Sequence, residues 1–324
     1  MAIPPVVVMT ARWAWHWQWQ RLMSGLGPAD AQGNYTRPTS DHPSSQLPNQ
    51  PLAGRSNNDR PHLIVGRSCP WAHRTWLVHQ LRGLNDSLTV LMAVADHRRG
   101  RWQLNPPWLN CDSLLELYRY CKADPSHRAT VPVLMDPIEQ RILGNESAEL
   151  VELLNRWPSS DRTAPDLAPP DLQEAIEAWQ RLLQPAVNDG VYRCGFARTQ
   201  DAFERAETAL FAALQSVETS LQAQGPWLCG DRLTLADVRL FPTLIRWETV
   251  YAPLFGCNRL QLWQLPHLWR WRQRFLALPG VGETCDAEAW RNDYYGALFP
   301  LNPSGIVPSA PDLVTLVNAN APTP

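Results

Sequence analysis

The stretch His62-Leu63-Ile64-Val65-Gly66-Arg67-Ser68-Cys69-Pro70-Trp71-Ala72-His73-Arg74 decides the fold. His62 to Val65 reads as a short buried strand, and from Trp71 to Leu81 apolar residues recur at helical spacing through Trp76, Leu77, Val78 and Leu81. Cys69 therefore stands at a strand-to-helix junction. Pro70 suits the first helical position, where its missing N–H would go unsatisfied anyway, and the free N–H groups of the first turn point at the sulfur. Those groups and the positive end of the helix favour thiolate over thiol, and the thiolate is the nucleophile. Arg67 and Arg74 flank the motif and add positive potential. Three residues on stands Ala72, so there is no adjacent resolving thiol, and the natural disulfide partner of Cys69 is a small external thiol. Free cysteines are more often inert core residues; the junction, the proline and the arginines set this one apart.

A chain of 324 residues has room for two domains and a sizeable core. With 29 basic and 31 acidic residues the net charge is -2, which gives no electrostatic footprint for nucleic acid. No run of about 18 apolar residues spans a bilayer. Val6-Val7-Val8-Met9 is short, follows Pro4-Pro5 and lacks a basic leader region. These features predict a soluble, cytoplasmic protein with no membrane partner. The seven cysteines, 69, 111, 121, 194, 229, 257 and 285, are odd in number and lack paired ligand spacings, which argues for a reducing compartment and against a disulfide framework or a metal site. Among the 16 tryptophans, Trp179, Trp247, Trp269 and Trp271 occupy core-like helical positions. Trp13, Trp15, Trp17 and Trp19 alternate strictly and predict an extended segment with one aromatic face, packed on the body or on a partner subunit.

Residues 26–61 are rich in Pro, Ser, Asn, Asp and Gly and read as a long, irregular arm. After the Cys69 helix, closed by Gly83, come a strand at Leu88–Val94, a loop holding Arg98, Arg99, Arg101 and Trp102, and a helix from Ser113 to about Ala123. Val131–Met135 and Arg141–Leu143 read as a hairpin, and Asn145 opens the next helix. The order βαβαββα is that of a thioredoxin-like layer. Pro132 fits this sheet if it opens its strand after a cis bond, or if the strand is simply an edge. Pro165, Pro169 and Pro170 mark a linker, beyond which helices are predicted at 171–187, 200–223, 234–251 and 266–277. Thr234 and Asp237 form a capping box with Leu233 and Val238 as its staple, and Pro242 should kink that helix.

Asn145-Glu146-Ser147 at a helix start offers N–H groups, a hydroxyl and a carboxylate that together suit an amino-acid head group. In a thioredoxin-like layer this helix start and that of Cys69 lie on one edge of the sheet. With the Val131 backbone beside them, they would hold a peptide thiol with its sulfur at Cys69.

The runs Cys-Pro-Trp-Ala-His-Arg (69–74), Thr-Val-Pro-Val-Leu (130–134), Asn-Glu-Ser-Ala-Glu (145–149), Gly-Val-Tyr-Arg-Cys-Gly-Phe-Ala (190–197), Leu-Thr-Leu-Ala-Asp-Val-Arg-Leu-Phe (233–241) and Asn-Pro-Ser-Gly-Ile-Val-Pro (302–308) resemble a cysteine-type, omega-like glutathione transferase. The chain is most similar to the glutathionyl-hydroquinone reductases, or Xi class. The resemblance implies an α/β thioredoxin-like N-terminal domain (60–157) that binds glutathione and an all-α transferase domain (171–300) that binds the substrate. An arm (1–59) precedes them and a tail (301–324) follows. It implies Cys69 as nucleophile; Trp102, Arg128, Val131, Glu146 and Ser147 as glutathione-binding residues; and Tyr192, Tyr251 and Tyr294 around the hydroquinone, with Tyr192 and Tyr294 catalytic. Glutathione is then the co-substrate, glutathionylated aromatic molecules are the partners, no metal is needed, and the chain is a homodimer. The setting Arg101-Trp102-Gln103-Leu104, Met135, and Asp293 before Tyr294 depart from the family pattern. Two other functions are compatible with these residues: a broader thioltransferase or dehydroascorbate reductase, and a transferase-like interaction module without activity.

Overall fold

The computed structural model describes residues 3–38, 40, 42, 47–309 and 312–318. A six-stranded mixed sheet runs in the order β4 (Cys111–Ser113), β3 (Arg101–Trp108), β2 (Thr89–Asp96), β1 (His62–Gly66), β5 (Val133–Asp136), β6 (Arg141–Gly144). Its centre is β1 (His62–Gly66), parallel to β2 (Thr89–Asp96) and antiparallel to β5 (Val133–Asp136), which pairs in turn with β6 (Arg141–Gly144). Leu63, Ile64, Val65, Val133 and Leu134 are fully buried, as a strand covered on both faces requires. Each contributes about 1.5–3 kcal/mol of burial. Helix α1 (Pro5–Leu26) precedes the sheet, and α2 (Pro70–Leu81), which buries Ala72, Trp76, Leu77 and Val78, packs on β1. Gly83, at φ +61, takes the left-handed conformation just past α2.

The segment expected to be a loop around Trp102 is a strand. β3 (Arg101–Trp108) pairs antiparallel with β2 and carries β4 (Cys111–Ser113) on its outer edge. Tertiary pairing overrides a local sequence, with Pro106 and Pro107, that carries little strand signal. Helix α3 (Leu114–Tyr120) is capped by the Ser113 hydroxyl. The Val131–Pro132 bond is cis, and β5 begins directly after it. Helix α4 (Ser147–Asn155) is capped by Glu146, one residue later than expected from Asn145.

Beyond the linker lie α5 (Gln173–Leu183), α6 (Gly190–Gly195), α7 (Gln200–Gln224), α8 (Leu235–Leu244), α9 (Ala252–Phe255), α10 (Pro266–Leu276), α11 (Ala287–Ala297) and α12 (Leu313–Asn318). The molecule is a thioredoxin-like layer joined to a helical domain. The expected helix at 234–251 stops at Leu244, two residues past Pro242, and the chain continues as a wider turn from Trp247 to Tyr251. The capping box forms as read: Asp237 accepts from the Thr234 N–H at 3.0 Å, and also from Leu228 N–H at 2.9 Å and Trp271 Nε1 at 2.8 Å. The domains meet where α2 packs on α8, with Arg239 of α8 donating to Glu152 of α4 at 2.6 Å.

One expectation about the N-terminus is corrected. Trp13 to Trp19 lie on α1, because Pro5 suits a first helical position and the residues after it include no breaker before Gly25. The arm is tied down in part: Ala29 bridges Tyr35, and Asn145 N–H donates to the His42 carbonyl at 3.0 Å. Expectations for residues 1–2, 39, 41, 43–46, 310–311 and 319–324 lie outside the described residues.

Candidate active site

Cys69 caps α2, with Ala72 N–H donating to its Sγ at 3.5 Å and the thiol donating to the Val131 carbonyl at 3.5 Å. The thiolate expected from the helix start is only partly supported. Burial pushes the thiol above its ordinary range, and the N–H groups of Ala72 and Trp71, followed by Arg246 and Arg37, pull back without overcoming it. The flanking arginines are engaged elsewhere. Arg74 stacks on Trp71 at 4.5 Å and bonds the Arg239 carbonyl and Gln184, while Arg67 pairs with Asp286 at 3.6 Å.

Two cavities meet at the sulfur. The first, about 240 Å³, is polar and has Arg37, Ser40, Arg128, Thr130, Val131 and Ser147 on its walls. Glu146 stands beside it. Its carboxylate accepts from Ala148 N–H at 3.1 Å and from the Ser40 hydroxyl at 2.8 Å, and it lies 3.7 Å from Arg37. Burial raises this carboxyl, but Arg37, Ala148 N–H and Ser40 together hold it below the usual carboxylate range. Arg37 also lies 3.5 Å from Asp189 and 3.9 Å above the Trp71 ring. The arm thus delivers a cation to the helix start that presents Glu146 and Ser147.

The second cavity, about 230 Å³, is largely apolar, with Tyr192, Phe196, Tyr294, Ala297 and Leu298 on its far side and Asp293 its one carboxylate. Cys69, Trp71 and Trp102 belong to both cavities. Trp102 can lie there because β1 ends in a glycine: a Cβ on Gly66 would come within 2.4 Å of the indole. Asp293 lies 3.3 Å from His97 Nε2; its carboxyl is raised by burial against the opposing pull of Ser68 and His97.

The three tyrosines converge. The Tyr192 and Tyr294 hydroxyls are in direct contact, and Tyr251 lies 3.1 Å from Tyr294 and 3.5 Å from Tyr192. Burial pushes Tyr192 and Tyr294 well above the ordinary phenol range, so both keep their protons. Tyr251 is fully buried behind them and lines neither cavity. Its hydroxyl contacts both of the other phenols.

Beneath Cys69 lies a buried cation that sequence reasoning missed. Arg246 is fully buried, stacks on Trp290 at 4.1 Å and donates to the Arg67 and Pro242 carbonyls at 3.0 and 2.9 Å. Its Nη1 also meets His73 Nδ1 at 2.9 Å. Burial, then Arg246, pushes His73 well below its ordinary range, so the ring is neutral and accepts at Nδ1 while Nε2 faces Thr284 at 2.7 Å. The signal was an arginine within an apolar helical pattern. Arg37, Tyr35 and Ser40 had no such signal, since they lie in the polar arm.

Comparison with known proteins agrees with this architecture. The family model "Glutathione S-transferase, N-terminal domain" matches residues 68–157, and "Glutathione S-transferase, C-terminal domain" matches residues 200–274. Glutathionyl-hydroquinone reductase PcpF of Sphingobium chlorophenolicum is 37% identical over 267 residues, covering 79% of this chain and 84% of the relative. Glutathionyl-hydroquinone reductase YqjG of Escherichia coli is 35% identical, covering 79% and 80%. The crystal structure of glutathione S-transferase Xi from Phanerochaete chrysosporium superposes with a TM-score of 0.79 at 32% identity, covering 87% of this chain and 94% of that one. The glutathione-bound structure of YqjG superposes with a TM-score of 0.72 at 33% identity, covering 79% and 86%. A helix-capping cysteine between a polar and an aromatic cavity, on a fold shared at this identity and coverage, makes the chain a member of the glutathionyl-hydroquinone reductase family, the Xi class of glutathione transferases.

Proposed function

We propose that this enzyme removes glutathione from glutathionyl-hydroquinones through a mixed disulfide on Cys69. The observation that carries the reading is the position of Cys69 in the wall between a polar and an aromatic cavity. A thioether joining a peptide to a phenol fits that junction with its sulfur at Cys69. Glu146 and Ser147, with Arg37, suit the charged γ-glutamyl end, the Val131 backbone suits the peptide, and Arg128 suits the far carboxylate. Trp102 serves both halves of the ligand.

In the first step the Cys69 thiolate attacks the glutathionyl sulfur. A disulfide forms, the sulfur–carbon bond breaks, and the ring leaves with the bonding pair and takes up a proton. A ring carbanion is a poor leaving group. Hydrogen bonds from Tyr192 and Tyr294 to the phenolic oxygen favour a keto-like form in which departure is easier. In the second step a glutathione thiolate attacks the glutathionyl sulfur on Cys69, releasing glutathione disulfide and restoring the thiolate. Sulfur is oxidised and the ring reduced, with one glutathione consumed per turnover. Arg246 favours the thiolate from below at both steps. The aromatic cavity favours this reading over a general thioltransferase, which has no need of a phenol pocket.

The test is mass spectrometry after exposure to a glutathionyl-hydroquinone. One glutathione on Cys69 and none on Cys69→Ala is expected; full turnover by Cys69→Ala rejects the scheme. A homodimer belongs to the same reading and is checked by sedimentation equilibrium.

A further inference from the structure

Helix α1 is held to the body at one end only. At its C-terminal end Met23 is fully buried, Trp19 lies under Arg198 at 5.5 Å, and Arg198 donates to the Gly27 carbonyl at 2.8 Å. Every residue from Ile3 to Gln18 is exposed. Val6, Met9, Trp13 and Trp17, spaced to share one helical face, are 67%, 71%, 70% and 57% exposed. Trp15, though exposed, turns the other way, with His16 and Trp19 towards a cavity shared with Cys194, Ala197 and Phe203, so the outward apolar face is that of Val6, Met9, Trp13 and Trp17. A segment this apolar and unsupported marks a binding surface.

We infer that α1 docks in the headgroup region of an anionic lipid bilayer. Charge selects this occupant. From Ile3 to Ala29 the sequence holds Arg12, Arg21 and His16 but no Asp or Glu, although the whole chain is net negative at -2. A second copy of the helix would bring arginines together with no carboxylate on the helix to pair them. A bilayer surface supplies the missing anions and takes up the outward face of Val6, Met9, Trp13 and Trp17. Tryptophan is suited to that depth, its ring apolar and its indole N–H free to meet headgroups. Arg21 lies 5.9 Å from the Trp17 ring, where its stem can reach back towards phosphate. No helix of the described residues is long and apolar enough to cross a membrane, and a surface helix has no need to be. The expectation of no membrane partner rests on the missing span and on the short apolar run Val6–Met9 without a basic leader, neither of which bears on a surface helix.

The test is co-sedimentation of the full chain with extruded phosphatidylcholine vesicles, with or without equimolar phosphatidylglycerol. Each arginine near an anionic surface multiplies partitioning about fivefold, so the anionic vesicles should bind roughly 25-fold better, with the difference lost in high salt. Trp13→Ser with Trp17→Ser should abolish binding while leaving turnover of a soluble glutathionyl-hydroquinone, or glutathione binding if turnover is absent, unchanged. A chain that stays in the supernatant with both vesicles overturns the inference, as does binding that survives the double substitution. A mass in sedimentation equilibrium that halves in the double variant, without vesicle binding by the parent chain, assigns the face to a second copy instead.

Discussion

One added methyl group at Gly66 tests whether Trp102 is held where both cavities need it. Gly66 ends β1 opposite Ala93 of β2, and Trp102 of β3 pairs with Ala95 of the same strand. A Cβ at residue 66 would lie 2.4 Å from two atoms of the indole and 3.1 Å from a third, where ordinary contacts are 3.4–4 Å. The ring must therefore shift by about 1 Å, and a close-packed wall resists that by roughly 1–3 kcal/mol. Gly66→Ala should lower the thermal midpoint and raise KM for a glutathionyl-hydroquinone, because the indole moves out of both cavities at once. Trp102→Ala should raise KM as well. In the Gly66→Ala/Trp102→Ala double variant the methyl fills space the indole has left, so the two destabilisations should not add. A coupling of about 1–3 kcal/mol is expected in thermal unfolding of the four proteins. A wild-type midpoint and KM in Gly66→Ala, or strict additivity in the cycle, would refute the argument.

The Cys69 thiol is raised above its ordinary range, so in the ligand-free protein it is protonated at neutral pH and gains thiolate as pH rises. Alkylation of Cys69 by iodoacetamide should climb about tenfold per pH unit from pH 7 to 9, and a plateau below pH 8 would contradict this. Arg246→Met should move the profile to higher pH while Arg246→Lys stays near the parent; identical profiles would remove the buried cation from the scheme. Asp237→Ala leaves the N–H groups of Leu228, Thr234 and Trp271 without their acceptor. At about 1–3 kcal/mol for each buried orphan, a loss of at least about 3 kcal/mol is expected in thermal unfolding, far beyond that of an exposed cap. Asp293→Asn removes the one carboxylate that lines the aromatic cavity among the described residues and should lower KM for the aromatic substrate about threefold, because docking a ring no longer desolvates a charge. Unchanged KM in steady-state kinetics would place Asp293 outside the binding surface.

Features written in adjacent residues were legible before the structure: the junction at Cys69, the Val131–Pro132 turn, the Glu146-Ser147 helix start and the capping box at Thr234. Each is a local bargain between a side chain and nearby backbone. What depended on distant partners was not. β3 carries two prolines and gains its strand from pairing with β2, and Arg37 acquires its place only when the arm folds across α4. The electrostatics of Cys69 were misread for the same reason. Arg67 and Arg74 are neighbours in sequence, whereas Arg37 and Arg246 are the arginines whose charge acts on the sulfur. The tryptophans of α1 failed differently: their period of two is that of a strand, but the segment runs from a first-position proline to Gly25 without a breaker and folds as a helix.

The shared wall of the two cavities has a consequence for traffic. Displacement at sulfur is collinear: in the first step of the proposed scheme Cys69, the glutathionyl sulfur and the departing ring carbon would lie on one line, with the carbon in the aromatic cavity. In the second step Cys69 is itself the leaving group, so the incoming glutathione must approach the same sulfur from the opposite end of that line. That position is the one the ring has just vacated. The polar cleft is still occupied by the first glutathione, so the aromatic cavity is also the entrance for the second. The hydroquinone product therefore competes with glutathione for one doorway, and each turnover waits for the ring to clear it.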